Sequence, residues 1–285
     1  MALIDTQTFP LTKQRLTTAL SLIPSQPDVF SGSRMREARA AFISGKNVLD
    51  SIRGWLLAAN VISRDRSKYF LTDFGKRLLS VDPRMETAAS WWSIHLSICF
   101  SGRSEPYRAL FIVVGESTGD VSQDDLLISR IAAIIDEQPG VVVTSATLET
   151  NLAGVVKTFM GGSPLSDLGL LDVLQGGSGR RLRLGEPTVP NQAIIHALAL
   201  ARHRHFSTRM TIHFSELVEI GFHHFLCMPL SALRNRLREL SRSAAWQQHL
   251  EFLEGQDLDS VRFGVRLNPN QTLLSLLQDT EDTWI

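Results

Sequence analysis

The sequence is poor in nearly everything that announces a function class. Its two cysteines, Cys99 and Cys227, sit in apolar surroundings with no metal-type spacing, so they are expected as buried free thiols in a reducing cytoplasm. No window approaches the roughly 18 uninterrupted apolar residues of a membrane span. Residues 1–15 lack a basic start followed by an apolar run, so neither a membrane partner nor a secretory signal is expected. Net charge is missing too: 29 basic residues balance 29 acidic ones, which taken alone argues against nucleic acid. The glycine cluster at 176–179 lacks the lysine-serine ending of a phosphate-binding loop and reads as a hairpin tip. Zinc-finger, HExxH, HNH and PD-(D/E)xK patterns are all absent.

What is present is an ordinary globular composition. With 285 residues, 44% hydrophobic and 20% charged, the chain can form one large or two to three small domains with proper cores. The charge, balanced in total, is unevenly distributed. Residues 30–80 hold ten basic side chains (Arg34, Arg36, Arg39, Lys46, Arg53, Arg64, Arg66, Lys68, Lys76, Arg77) against four acids, Glu37, Asp50, Asp65 and Asp73. Residues 249–285 reverse the balance, with seven acids against Arg262 and Arg266. A chain polarised in this way can keep a basic face for phosphate while staying neutral overall.

The basic segment has a recognisable order. Residues 34–43 read as a short helix stopped by Ser44-Gly45, and Asn47 is expected to cap the next helix. Val48, Leu49, Ile52, Trp55, Leu56 and Ala59 fall on that helix's buried side, leaving Lys46, Asp50, Ser51, Arg53 and Gly54 toward solvent. Then come Val61-Ile62, a polar tip at 63–68 carrying Arg64, Arg66 and Lys68, the β-like run Tyr69-Phe70-Leu71-Thr72, and a renewed helix from Asp73. Two helices joined by a tight turn and followed by a basic ribbon make a winged helix-turn-helix, whose second helix enters the major groove while the wing grips backbone. Lys46, Asn47 and Arg53 on the helix, with Arg64, Arg66 and Lys68 on the wing, are therefore the candidate DNA contacts.

The pattern returns twice, less charged. Residues 124–137 and 144–160 have helical periodicity, the first stopping at Gln138-Pro139-Gly140, and 170–174 would pair with 181–184 across the glycine cluster. Beyond Pro190, helices are expected at 191–203, 214–220 and 229–242, with 260–265 as a wing strand. In the last helix Leu230, Leu233, Leu237 and Leu240 form a core stripe, while Arg234, Arg238 and Arg242 stack alongside as a solvated face or a phosphate ladder, so Arg234 and Arg238 join the candidate DNA contacts. Trp91, Trp92, Ile94, Leu96, Ile98 and Phe100 belong to a buried helix between the first two units. The fold expected is mainly α with short β-hairpins, in tandem winged helix-turn-helix-like units. Its parts are an N-terminal winged helix at 1–90, a helical connector with a second unit at 91–188, and a C-terminal unit with an acidic tail at 189–285.

Catalytic chemistry is faint. Asp120, Asp124 and Asp125 cluster before a helix, where acids cap and complement the dipole. The same three are the candidates for a metal-dependent nuclease, which needs converging carboxylates around Mg2+ or Mn2+. Among eight histidines, His203, His205, His213, His223 and His224 with Cys227 match no zinc spacing, so no metal cluster is expected there.

Several blocks do resemble a known family. They are the opening Thr8-Phe9-Pro10-Leu11, the turn and helix from Gly45-Lys46-Asn47 through Ile52-Arg53-Gly54-Trp55, the run from Tyr69 to Asp73-Phe74-Gly75, and the segment from Ser163-Pro164-Leu165 to Leu170-Leu171. Together they are similar to the SspB-like family, a bacterial family formerly of unknown function that serves as the nicking component of single-strand DNA phosphorothioation in anti-phage defence. One departure is Thr6-Gln7, which stands where relatives carry a histidine-glutamate pair before that opening. The resemblance implies a protein that binds double-stranded DNA and nicks one strand, so that a non-bridging phosphate oxygen can be exchanged for sulfur. It further implies a cysteine desulfurase, an ATPase and a PAPS-reductase-like sulfurtransferase as partners, and leaves a homodimer open. Against this stands a second reading, a non-catalytic winged-helix DNA-binding adaptor or transcriptional regulator, because winged helices are not tied to one function.

Overall fold

The computed structural model describes residues 7–137, 143–176, 179–255 and 258–278. The expected stop at Gln138-Pro139-Gly140, the hairpin tip at Gly177-Ser178, Thr6, and the acids Asp257, Asp279, Glu281 and Asp282 lie outside those residues.

The first repeat begins with α1 (Lys13–Leu22), capped by the Thr12 hydroxyl. A tight turn at Gly32–Arg34 leads into α2 (Met35–Ala41), followed by α3 (Lys46–Ala58), the hairpin β1 (Ile62–Asp65) and β2 (Lys68–Leu71), and α4 (Asp73–Val81). The hairpin pairs Ile62 with Leu71 through Asp65 with Lys68, and Arg66 closes it in the left-handed region at φ 55°. Thr72 caps α4 by accepting from the Gly75 amide, and a Cβ on Gly75 would stand 2.2 Å from the Val61 carbonyl oxygen. The Thr-Asp-Phe-Gly block is thus a cap followed by a close helix–hairpin contact.

Two details of α3 differ from the sequence reading. Gly45, not Asn47, holds the cap position, and Asn47 lies inside the first turn. Ser51 and Gly54, expected toward solvent, are buried. Residues 7–11 run across this face: the Phe9 carbonyl accepts from Trp55 Nε1 at 2.9 Å and from the Ser51 hydroxyl at 3.3 Å. No local pattern could have shown a contact between positions some forty residues apart.

Next, α5 (Ala88–Ser101) is buried along every residue from Ala89 to Phe100, as a helix apolar on all sides must be. The second repeat runs α6 (Glu105–Gly115), β3 (Val121–Ser122), α7 (Asp125–Asp136), α8 (Ser145–Thr158), the single turn α9 (Pro164–Asp167), β4 (Leu171–Gly176) and β5 (Gly179–Leu184). The third runs α10 (Asn191–His205), β6 (Thr211–His213), α11 (Phe214–Glu219), α12 (Phe222–Phe225), α13 (Leu230–Arg242), β7 (Leu250–Leu253) and β8 (Ser260–Phe263), and α14 (Pro269–Leu277) closes the chain. The two sheets have the same order, β3-β5-β4 and β6-β8-β7, all antiparallel. In each, the short strand after the first helix pairs with the last strand of the wing.

The fold is therefore mainly α with small antiparallel sheets, in tandem winged-helix repeats. Two more expectations change. Leu230 is 43% exposed and lies outside the α13 stripe of Leu233, Leu237 and Leu240. The last wing strand ends at Phe263, leaving Val265 in solvent. One continuous hydrophobic core joins all three repeats, with α5 packed on α6, α9, α10 and α14.

Candidate nucleic-acid interface

The strap at residues 7–11 decides what α3 can present. With Ser51 and Trp55 bonded to the strap and Gly54 buried, the fully exposed residues of α3 are on its first turn. Lys46 and Asn47 are exposed on the first turn, the part of a recognition helix that reaches base edges. Arg53 follows two turns on, half-buried, with its guanidinium 2.9 Å from Asp50. Among the described residues Lys46 forms no ion pair.

The wing is solvent-facing at Arg64, Arg66 and Lys68. Arg64 donates from Nε to the Arg66 carbonyl at 2.7 Å and lies 5.9 Å over the Tyr69 ring, which preorganises it without consuming its charge. Arg66 and Lys68 make no ion pair among the described residues. On α2, Arg36 and Arg39 line the groove leading to Ser44-Gly45 and are likewise exposed and unpaired. The sequence reading counted these two in the charge surplus but did not place them at the site. Their spacing around buried Ala38 and Phe42 was the available signal. Between α2 and α3, Ile43 is 82% exposed at φ 48°, a conformation rare for a β-branched residue.

Arg234 and Arg238 lie elsewhere, on α13, and are engaged. Arg234 is 2.9 Å from Asp259 and 5.2 Å over the Phe214 ring. Arg238 donates from Nε to Glu254 at 2.9 Å and from Nη1 to the Asn235 side-chain oxygen at 2.7 Å, while Arg242 stands 3.8 Å from Glu254. Hydrogen bonding from Arg238 holds the Glu254 carboxyl below the ordinary range.

The three carboxylates proposed for a metal are spent separately. Asp124 caps α7, accepting from the Leu126 and Leu127 amides at 3.1 and 3.2 Å. Asp125 is exposed in the following turn, and Asp120 is 4.0 Å from Arg181. Among the described residues no group of three or more His, Cys, Asp or Glu side chains could hold a metal ion. The arrangement of Asp120, Asp124 and Asp125 does not fit a divalent-ion site, and capping accounts for Asp124.

Two of the histidines are held in the core by hydrogen bonds. His95 bonds the Tyr107 hydroxyl at 2.8 Å and the Phe225 carbonyl at 2.7 Å, and burial pushes its pKa down to about 4. His196 bonds the Thr272 hydroxyl at 3.0 Å and falls to about 3 for the same reason. His205, exposed at the end of α10, is pushed down to about 4 by partial desolvation, then by the Arg108 and Arg204 charges. The His223 and His224 rings lie tilted with centroids 3.7 Å apart, both pushed down by burial. The Cys227 thiol donates to the Leu170 carbonyl at 3.2 Å and, like Cys99, is free and buried, with its pKa raised.

The geometry defines a class: tandem winged helices whose first repeat carries exposed cations that no acid among the described residues pairs. The chain belongs to DUF4007, a family of proteins of unknown function that it matches over residues 5–276. Among solved structures it is similar to a magnesium ion-bound SspB crystal structure, with 17% identity, a TM-score of 0.73, and coverage of 97% of this chain and 86% of that one. A second SspB crystal structure gives 18% identity at the same TM-score and coverage. At such identity the likeness is one of fold, and it agrees with the SspB-like resemblance read from the sequence blocks. No curated protein sequence matches the chain. Among the described residues, no helix is long and apolar enough to cross a membrane.

Proposed function

We propose that this protein binds duplex DNA through its first winged helix and nicks one strand as the SspB-like component of a phosphorothioation defence system. The observation that carries the DNA half is the set of cations that, among the described residues, have no acidic partner, on α2, the first turn of α3 and the β1–β2 wing. Such groups can exchange condensed counterions for phosphate at no internal cost. Lys46 and Asn47 would reach groove edges, Arg64, Arg66 and Lys68 the flanking backbone. Arg234 and Arg238 would first have to leave Asp259 and Glu254.

The nicking half is supported by the shared fold over nearly the whole chain and by the sequence blocks. Mg2+ or Mn2+ enters the reading from the magnesium-bound neighbour, and no residue of this chain is assigned to it. The cysteine desulfurase, ATPase and sulfurtransferase partners belong to the same proposal, as does a cytoplasmic location. The failure of Asp120, Asp124 and Asp125 to converge favours a second reading, a non-catalytic DNA-binding adaptor.

A supercoiled-plasmid assay separates the two. The nickase reading expects open circles with Mg2+ or Mn2+ and none with excess chelator. Asp124→Asn with Asp125→Asn is an informative variant because asparagine caps a helix as well as aspartate does, so the carboxylate is removed and the cap kept. Retained activity in that variant moves the active site away from α7. Tight DNA binding without nicking in any metal leaves the adaptor.

A further inference from the structure

A cleft of about 660 Å³ lies where two of the family blocks meet, some 150 residues apart in the chain. One wall is the strap's Pro10 and Leu11, and the other is the α8–α9 loop at Gly161-Gly162-Ser163-Pro164. That volume is within the roughly 300–1,000 Å³ range of small-molecule sites. It is separate from the basic wing and plays no part in the function proposed above.

The lining has three kinds of chemistry. Ser163 is only 9% exposed, yet among the described residues its hydroxyl has no hydrogen-bond partner and does not cap α9; an orphaned buried hydroxyl is costly unless something else satisfies it. Two ammonium groups line the same cleft with donors to spare. Lys157 gives one hydrogen bond to the Thr8 carbonyl at 3.1 Å, and Lys13 stands a loose 3.9 Å from Glu86. A Cβ on Gly161 or Gly162 would meet nothing within 4 Å, so a ligand can approach the backbone closely.

The rest of the floor is apolar and fixed. Trp91 donates from its indole nitrogen to the Met85 carbonyl at 3.0 Å. The loop carrying Met85 is pinned by Asp82, which accepts from the Glu86 and Thr87 amides at 2.9 Å. On the opposite rim, the Asp167 carboxylate offers acceptors suited to sugar hydroxyls.

From this we infer that the cleft binds a nucleoside monophosphate group, the phosphate on Lys13, Lys157 and Ser163 and the base on the apolar floor. The same group occurs as a free nucleotide and at a phosphorylated 5′ end of DNA.

Calorimetric titration of the full chain with adenosine 5′-monophosphate, adenosine and inorganic phosphate tests the inference. Adenosine monophosphate is expected to bind at least about tenfold tighter than either fragment. Ser163→Ala, which removes a hydroxyl that holds nothing, should weaken it roughly tenfold. Gly161→Leu, at a position with open space and an ordinary backbone, should abolish it. Both variants should melt as wild type and bind duplex DNA normally, which keeps this result distinct from failure of the wing assignment. Displacement by a 5′-phosphorylated oligonucleotide but not its unphosphorylated twin identifies the source as a DNA end; displacement by neither identifies the free nucleotide. No binding at millimolar concentration, phosphate alone binding as well as the nucleotide, or both variants binding as wild type would overturn the inference.

Discussion

The first and third repeats share an architecture and differ in where their acids fall. In the first, the wing carries Arg64, Arg66 and Lys68 around the single acid Asp65, and its cations face solvent. In the third, the wing carries Glu251 and Glu254, and Asp259 sits at its second strand, so the arginine row of α13 is met from the side by carboxylates. Exposed pairs of this kind contribute little stability, because solvent screens them. Their larger consequence is for binding, since an arginine held by a carboxylate must give it up before it can neutralise phosphate. A row of arginines on a helix is a phosphate ladder only when the neighbouring wing leaves it free.

The comparison would break if the repeats were independent bodies, and acid tests that with the largest expected effect. His95 and His196 lie in the core shared between repeats with pKa values near 4 and 3, below the ordinary 6.5. The unfolded chain takes up protons below about pH 6.5 while the folded one does not, so stability is lost as pH falls from about 6.5 toward 4. His95 alone accounts for about 3 kcal/mol of that loss. Denaturant melts at pH 7 and 4.5 should show one cooperative transition weakening as a whole. Two transitions with different pH dependence would mean separate domains.

Next in size is the wing. Arg64→Ala with Arg66→Ala and Lys68→Ala should weaken duplex binding on the order of 100-fold at low salt, three phosphate contacts being lost. A smaller, opposite effect should come from the third repeat. Glu254→Ala with Asp259→Ala frees the α13 arginines and should raise affinity severalfold in fluorescence anisotropy. Unchanged affinity would show that pairing is not what silences that face. Smallest is Ile43→Asn, which replaces a β-branched residue at φ 48° by one that tolerates it and should stabilise the fold by about 1 kcal/mol. A lower melting temperature would mean the isoleucine packs against something.

How much of this could be read from the sequence follows the range of the interactions. Periodicity gave α3, α10 and α13, and a polar tip between apolar runs gave the first wing, because those signals are local. The strands β3 and β6 are two and three residues long, too short for alternation to register. Burial of Ser51 depends on Phe9, and neutralisation of Arg238 on Glu254, contacts made only when the chain is folded. Of the candidate contacts, the wing was legible because its residues are neighbours in sequence. Which cations remain unpaired was not, because their partners are distant. Asp124 was ambiguous between cap and metal ligand, and only the amides of Leu126 and Leu127 distinguish the two.

The central claim, that DNA is held by the first repeat and not the third, is tested most directly by salt dependence measured side by side. Duplex affinity across a salt series gives a log–log slope that counts phosphate contacts, about 0.9 per contact on B-DNA. The wing triple variant should flatten the slope by roughly 2 to 3, while Arg234→Ala with Arg238→Ala should leave it where wild type stands. A slope unchanged by the wing variant and flattened by the α13 variant would contradict the account.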